Sequence, residues 1–110
     1  MSAPEQLDQT LAALADPVRR RAVELLAERA YRAGELAEAL GVAAPAMSKH
    51  LRVLRRQGIV SEQSPEFDTR VRIYSLRSAP MVDLRSWLAA AEQGWARQLA
   101  AFTEHVGGES

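Results

Sequence analysis

The stretch ELAEALGVAAPAMSKHLRVLRRQGI, residues 35–59, holds two helical patterns parted by a short turn centred on Gly41. The first covers residues 34–40 and offers Leu36 and Leu40 for burial. Gly41 suits the left-handed conformation that ends a helix and redirects the chain. The second starts near Ala44, with Pro45 in its first turn, and stops before Gly58. Met47, Leu51 and Leu54 share one of its faces. Stepping ~100° per residue from Met47 sets Lys49, Arg52 and Arg56 on the opposite face. One side can then pack while the other meets phosphate and bases. No acidic residue interrupts Lys49, Arg52, Arg55 and Arg56. A short helix, a tight turn and a basic second helix are the parts of a helix-turn-helix, whose second helix lies in the DNA major groove.

Directly downstream, VSEQSPEFDTRVRIYSL (residues 60–76) reads as a β-hairpin. Alternation over residues 59–63 and 70–76 predicts two strands, the second setting Val71, Ile73 and Leu76 against Arg72, Tyr74 and Arg77. The link at residues 64–69 contains Pro65 and Asp68, both turn formers. Arg70 and Arg72 lie beyond its tip and are expected to project toward flanking duplex. A basic hairpin after a helix-turn-helix makes a winged helix. The last helix is expected from near residue 80 to 106. Leu84, Leu88, Ala91, Trp95, Leu99, Phe102 and Val106 recur there at steps of three and four.

Upstream, Leu7, Leu11 and Leu14 mark a first helix over residues 5–13. Asp16-Pro17 opens a second, Asp as N-cap and Pro at the first helical position. Its apolar face is Val18, Ala22, Leu25 and Leu26, and it should end near residue 30. The expected fold is therefore mainly α: a winged helix-turn-helix of five helices, with a two-stranded wing between the fourth and fifth. At 110 residues this is one domain, residues 1–110, able to bury a modest core.

Charge distribution matters more than its total. The chain has a formal net charge of zero, yet residues 41–77 hold seven bases against three acids, a local +4 that leaves −4 elsewhere. Local field steers a polyanion to a surface, and the acidic remainder should discourage indiscriminate binding. There is no cysteine, which excludes disulfides and thiolate metal sites. No apolar run approaches the roughly 20 residues of a membrane span, and no signal pattern opens the chain. A cytoplasmic protein without membrane contact is expected.

With these residues in view, the chain resembles the ArsR/SmtB family of bacterial winged-helix repressors. LADPVRRRAVELL, the stretch quoted first with Val60 added, and TRVRIYSL carry the likeness over residues 11–76. Its most specific piece is Ser48-x-His50-Leu51-x-x-Leu54-x-x-x-Gly58. The tryptophan-rich tail is similar to members that lack the metal sites for which the family is best known. The resemblance implies a homodimer with the first and fifth helices at the interface. It also implies binding to double-stranded operator DNA, an imperfect inverted repeat near a promoter, usually to repress transcription. Ser48 and Lys49 match recognition-helix positions that touch DNA, and Arg70 matches the wing arginine. Ala44 and Pro45 stand where many relatives carry Gln and Ser, which favours apolar contact with thymine methyls at that end. Arg32-Ala33 replaces the polar cap common before the third helix, so that start should be weaker.

Blander readings compete at several positions. A basic helical face alone is usually solvated surface; here the turn, hairpin and family pattern outweigh that reading. His50 lies nearer the buried stripe than the basic one, and fits a half-buried residue positioning the helix better than a base reader. Arg19-Arg20-Arg21 reads as an exposed, ion-paired face before a phosphate contact. The stripe on the last helix either packs on its own domain or meets a partner chain. One small domain cannot cover ~40 Å of helix, so a dimer is expected through Leu84, Leu88, Ala91, Trp95, Leu99 and Phe102, with Leu7 and Leu11 of the first helix beside them. Trp87 and Trp95 are candidates for an apolar small-molecule effector pocket near the dimer axis, against the commoner role of core aromatics.

Metal and enzyme chemistry find no support. A transition-metal site needs three or four convergent ligands, and only His50 and His105 are available, far apart in this reading. Arg32-Ala33-Gly34 occupies the place of paired cysteines in arsenic- and lead-sensing members, and no Asp-x-His opens the last helix. No cofactor is expected. No Ser-His-Asp set, glycine-rich phosphate loop or close carboxylate pair can be assembled. The alternative to a DNA-binding regulator is a winged-helix protein-interaction module without DNA binding, but such modules usually lose the basic face kept here.

Overall fold

Two glycines frame the helix-turn-helix. Gly41 has φ 64° and Gly58 φ 72°, both in the left-handed region that glycine enters without cost. After each, the chain closes the helix with a paired bond. Val42 N–H reaches Ala37 O at 2.9 Å beside Gly41 N–H to Glu38 O at 3.2 Å, and Ile59 N–H reaches Leu54 O at 2.9 Å beside Gly58 N–H to Arg55 O at 3.0 Å. These are Schellman closures, which satisfy last-turn carbonyls and turn the following apolar residue back onto the helix.

The computed structural model describes the backbone of residues 3–108 and the side chains of residues 4–103. In order the elements are α1 (Ala3–Leu14), α2 (Pro17–Leu26), β1 (Tyr31–Arg32), α3 (Ala33–Leu40), α4 (Ala44–Arg56), β2 (Val60–Gln63), β3 (Ile73–Leu76) and α5 (Ser78–Gly108). The sheet is antiparallel in the order β1-β3-β2, with Glu62 opposite Tyr74. Leu36, Met47, Leu51, Leu54, Ile59 and Val60 are fully buried where α3, α4 and the sheet meet. This core fixes the orientation of α4, whose other side is left to solvent.

Asp16 sets the start of α2 as expected. Its Oδ1 accepts from the N–H groups of Val18 (2.8 Å) and Arg19 (3.2 Å). Partial burial opposes ionisation, but the Arg19 and Val18 amides, with His50 and the Arg19 guanidinium, outweigh it and hold the carboxyl below its ordinary value. Asp16→Ala should therefore lower stability by ~1 kcal/mol near neutrality. A depressed folded-state pKa contributes stability above the unfolded value, lost as pH falls. The gap between parent and variant in urea unfolding should thus narrow as pH drops through 3.8 and below. A gap that widens in acid would contradict this account.

Several expectations need correction. Helix α2 ends at Leu26, not near residue 30: Glu28 N–H and Arg29 N–H both turn back to Leu25 O. The chain then extends so that Tyr31 pairs with Tyr74, forming a third strand, β1, that local pattern did not predict. The second wing strand begins at Ile73, not residue 70. Asp68 N–H to Pro65 O (3.2 Å) and Val71 N–H to Asp68 O (3.3 Å) consume the intervening residues in turns. Asp68 Oδ1 also accepts from Arg70 N–H at 3.0 Å, an Asx turn. Tyr74 faces inward and is buried, rather than sharing an outer face with Arg77.

The start of α3 is better held than Arg32-Ala33 suggested. Glu35 Oε1 accepts from Arg32 N–H at 2.9 Å. This is one half of a reciprocal cap, since an arginine side chain has no acceptor for the other half. Helix α5 begins at Ser78, two residues earlier than expected, and Pro80 is tolerated within its first turn. It packs on α1 and then runs clear of the core, giving the molecule a long axis of 71 Å.

Candidate nucleic-acid interface

Helix α4 turns Ser48, Lys49 and Arg52 into solvent, together with Ala44 and Pro45 at its leading end. No side chain caps its first turn, where the helix dipole is positive and only small apolar side chains intervene. Beside it, Ser48, Arg52, Arg55, Glu62, Arg72 and Tyr74 line an open cleft of about 310 Å³ between helix and hairpin. At the hairpin's far end the Arg70 side chain is 90% exposed, resting on Asp68 through a 3.2 Å Nε–Oδ1 contact. So exposed a pair is weak, and the guanidinium is free to exchange partners.

Arg72 and Arg56 are engaged otherwise than the sequence suggested, whereas His50 sits half-buried behind the helix as expected. Arg72 does not project from the wing; its guanidinium turns back to Glu62 Oε1. The reason is strand position: Arg72 immediately precedes β3 and lies over the carboxylate that pairs with Tyr74. Arg56, one turn on from Arg52, lines a groove with Gln9 and Thr10 of α1 and Asp83 of α5. His50 is half-buried, its Nδ1 3.2 Å from Arg19 Nη1.

Arg19 and Arg20 prove to be helix-closing groups. Arg19 Nε donates to Ala13 O at 2.6 Å, and Arg20 Nη1 donates to Leu14 O (3.0 Å) and Ala15 O (2.8 Å). Both cations sit at the negative end of the α1 dipole.

Glu62 is the residue that sequence reasoning passed over. Its carboxylate accepts from Tyr74 Oη at 2.7 Å and Arg55 Nη1 at 3.2 Å, as well as from Arg72. The Tyr74 hydroxyl, with Arg72 and Arg55, holds the carboxyl below its ordinary value despite burial. Burial and the facing carboxylate push the Tyr74 phenol up to about 12, so it stays a donor at neutral pH. The available signal was the hairpin register, which sets residue 62 opposite residue 74.

The apolar stripe of α5 is open. Trp87, Leu88, Trp95, Leu99 and Phe102 are all exposed, as is Leu11 of α1, while Leu7 and Leu84 are half-buried and Ala91 is exposed. His105 and Val106 lie outside the described side chains. Among the described residues no three His, Asp or Glu groups gather as metal ligands.

A basic recognition helix beside a hairpin wing, on a helix-turn-helix closed by two glycines, defines a winged-helix DNA-binding protein. The family model "bacterial regulatory protein, arsR family" matches residues 16–62. The HTH-type transcriptional regulator Rv2034 of Mycobacterium tuberculosis is 36% identical over 109 residues, covering 99% of this chain and 96% of the relative. The transcriptional repressor SdpR of Bacillus subtilis is 27% identical over 82 residues, 74% of this chain and 88% of its own. Among solved structures, the ArsR family transcriptional regulator RHA00566 superposes with a TM-score of 0.73 at 31% identity, covering 84% of this chain and 93% of that one. The chain belongs to the arsR family of bacterial regulatory proteins. It is a DNA-binding transcriptional regulator, not an enzyme.

Proposed function

We propose that residues 1–110 form one DNA-binding domain that works in the cytoplasm as a homodimeric repressor of an inverted-repeat operator. The observation that carries this reading is the uncovered apolar stripe of α5, continuous with Leu11 of α1. Monomeric proteins seldom leave so long a row of large apolar side chains in water. Pairing two copies there would bury it and present two recognition helices related by a two-fold axis, as an inverted repeat requires. The repressor SdpR among the relatives supports the direction of regulation. Among the described residues no helix is long and apolar enough to cross a membrane.

Within each protomer, Lys49, Ser48 and Arg52 read the groove, Ala44 and Pro45 approach thymine methyls, and Arg70 holds flanking phosphate. His50 positions α4 from behind. Trp87 and Trp95 would flank the dimer seam and form the site for a small apolar effector.

Protection mapping on the protein's own promoter, joined to sedimentation, tests the proposal. The expected result is a protected imperfect inverted repeat occupied by two protomers. Affinities with chelator and with added zinc should agree within a factor of about three, a coupling below ~1 kcal/mol. A monomer at micromolar concentration would remove the dimer, and a tenfold response to zinc would remove the metal-independent reading.

A further inference from the structure

Glu62 stands in the wrong place for a simple DNA-binding face. It lines the cleft between recognition helix and wing, among Ser48, Arg52, Arg55 and Arg72, and a carboxylate there faces an approaching polyanion. Its side chain is only 11% exposed, and its bonds reach α4 through Arg55, β3 through Tyr74, and the segment before β3 through Arg72. Two cations that composition assigns to the DNA face are therefore paired within the protein, while their own side chains stay 59% and 56% exposed.

We infer that Glu62 is a specificity-determining residue, which withholds Arg55 and Arg72 from DNA phosphate and fixes the wing against the recognition helix. This rests on the DNA-binding reading of the same face. Non-specific affinity comes almost wholly from phosphate neutralisation, so each cation withheld removes affinity for every sequence alike. Base readout depends on where α4 and the wing sit, which the three hydrogen bonds to Glu62 hold constant. The first effect lowers affinity for operator and random duplex alike, and the second, by holding the reading elements in place, widens the gap between them. For Arg55 or Arg72 to move to a phosphate, the largely buried carboxylate would have to lose its partner beside the DNA backbone, and loss of a partner to a buried charge is costly. The four groups interlock, because Glu62 carries one charge against two arginines and Tyr74 stays protonated beside it.

Glu62→Gln tests this with little change of shape, since the amide oxygen still accepts from Tyr74. Titrations on random duplex at several salt concentrations should show affinity raised on the order of tenfold at low salt, and a salt slope steeper by up to ~2 per subunit. Operator affinity should rise less, so the ratio between the two narrows. Arg72→Ala in the parent should leave random-duplex affinity and slope close to unchanged, because that cation is already engaged. In the Glu62→Gln background it should remove about half of the gained slope. An unchanged slope in Glu62→Gln overturns the inference, as does a full unit lost per subunit on Arg72→Ala in the parent. The second measurement decides the matter even if Glu62→Gln does not fold. A parent that ignores duplex DNA would overturn the DNA reading as well; a parent that binds, with both variants misbehaving, overturns this inference alone.

Discussion

Leu88→Glu is expected to yield a folded monomer with little hold on its operator. Leu88 is 50% exposed in the single chain and lies beyond the part of α5 that touches the core, so the winged helix itself should survive. In the proposed dimer the same position falls on the seam, where a glutamate from each protomer would be taken out of water without a partner. Such burial costs several kcal/mol. Operator affinity depends on two linked half-sites, and uncoupling them forfeits a factor on the order of 10²–10⁴. Sedimentation should report one protomer, and circular dichroism an unchanged helical signal. Trp95, 64% exposed, offers a second position on the same stripe. If Leu88→Glu and Trp95→Glu both sediment as dimers, the stripe is not the interface.

Arginine and lysine on the two DNA-facing elements should fail in different ways. Arg70 is almost wholly solvated at the wing, and in the proposed complex it holds flanking phosphate. Arg70→Ala should weaken operator and random duplex in similar proportion and lower the salt slope by ~1 per subunit. Lys49 stands on the exposed side of α4 near its leading end. Lys49→Ala should cost the operator ~1–3 kcal/mol beyond its effect on random DNA, the range for a base contact. Parallel titrations on operator and scrambled duplexes separate the cases. Equal binding by Arg70→Ala and parent would mean that the wing does not touch DNA, and equal losses on both duplexes for Lys49→Ala would make Lys49 a phosphate contact.

What could be read in advance was decided locally. Gly41 and Gly58 mark helix ends because the Schellman closures on Ala37 and Leu54 span only a few residues. Asp16-Pro17 opens α2 for the same reason. The stripe of Met47, Leu51 and Leu54 matched its burial because α4 is long enough for periodicity to speak. Features missed were those settled by partners far along the chain. Residues 27–30 have no local reason to leave a helix; Tyr31 pairs with Tyr74, more than forty positions away, and the chain extends to meet it. Arg72 looked free because its partner, Glu62, is found only once the hairpin register is fixed. Arg19 and Arg20 read as surface charge because a carbonyl they close belongs to the preceding helix. The candidate site was thus legible as a face, but not as a set of engaged and available charges.

Arg19 bridges the end of α1, through the Ala13 carbonyl, and the back of α4, through His50. In the proposed dimer α1 belongs to the seam and α4 to the groove, so this one side chain acts as a strut between them. Two such struts, one per protomer, would hold the recognition helices of that dimer at a separation set by protein packing before any duplex arrives. Such an assembly would work as a gauge, admitting a site by the interval between its half-sites, ~34 Å for one turn of B-DNA, before a single base is read.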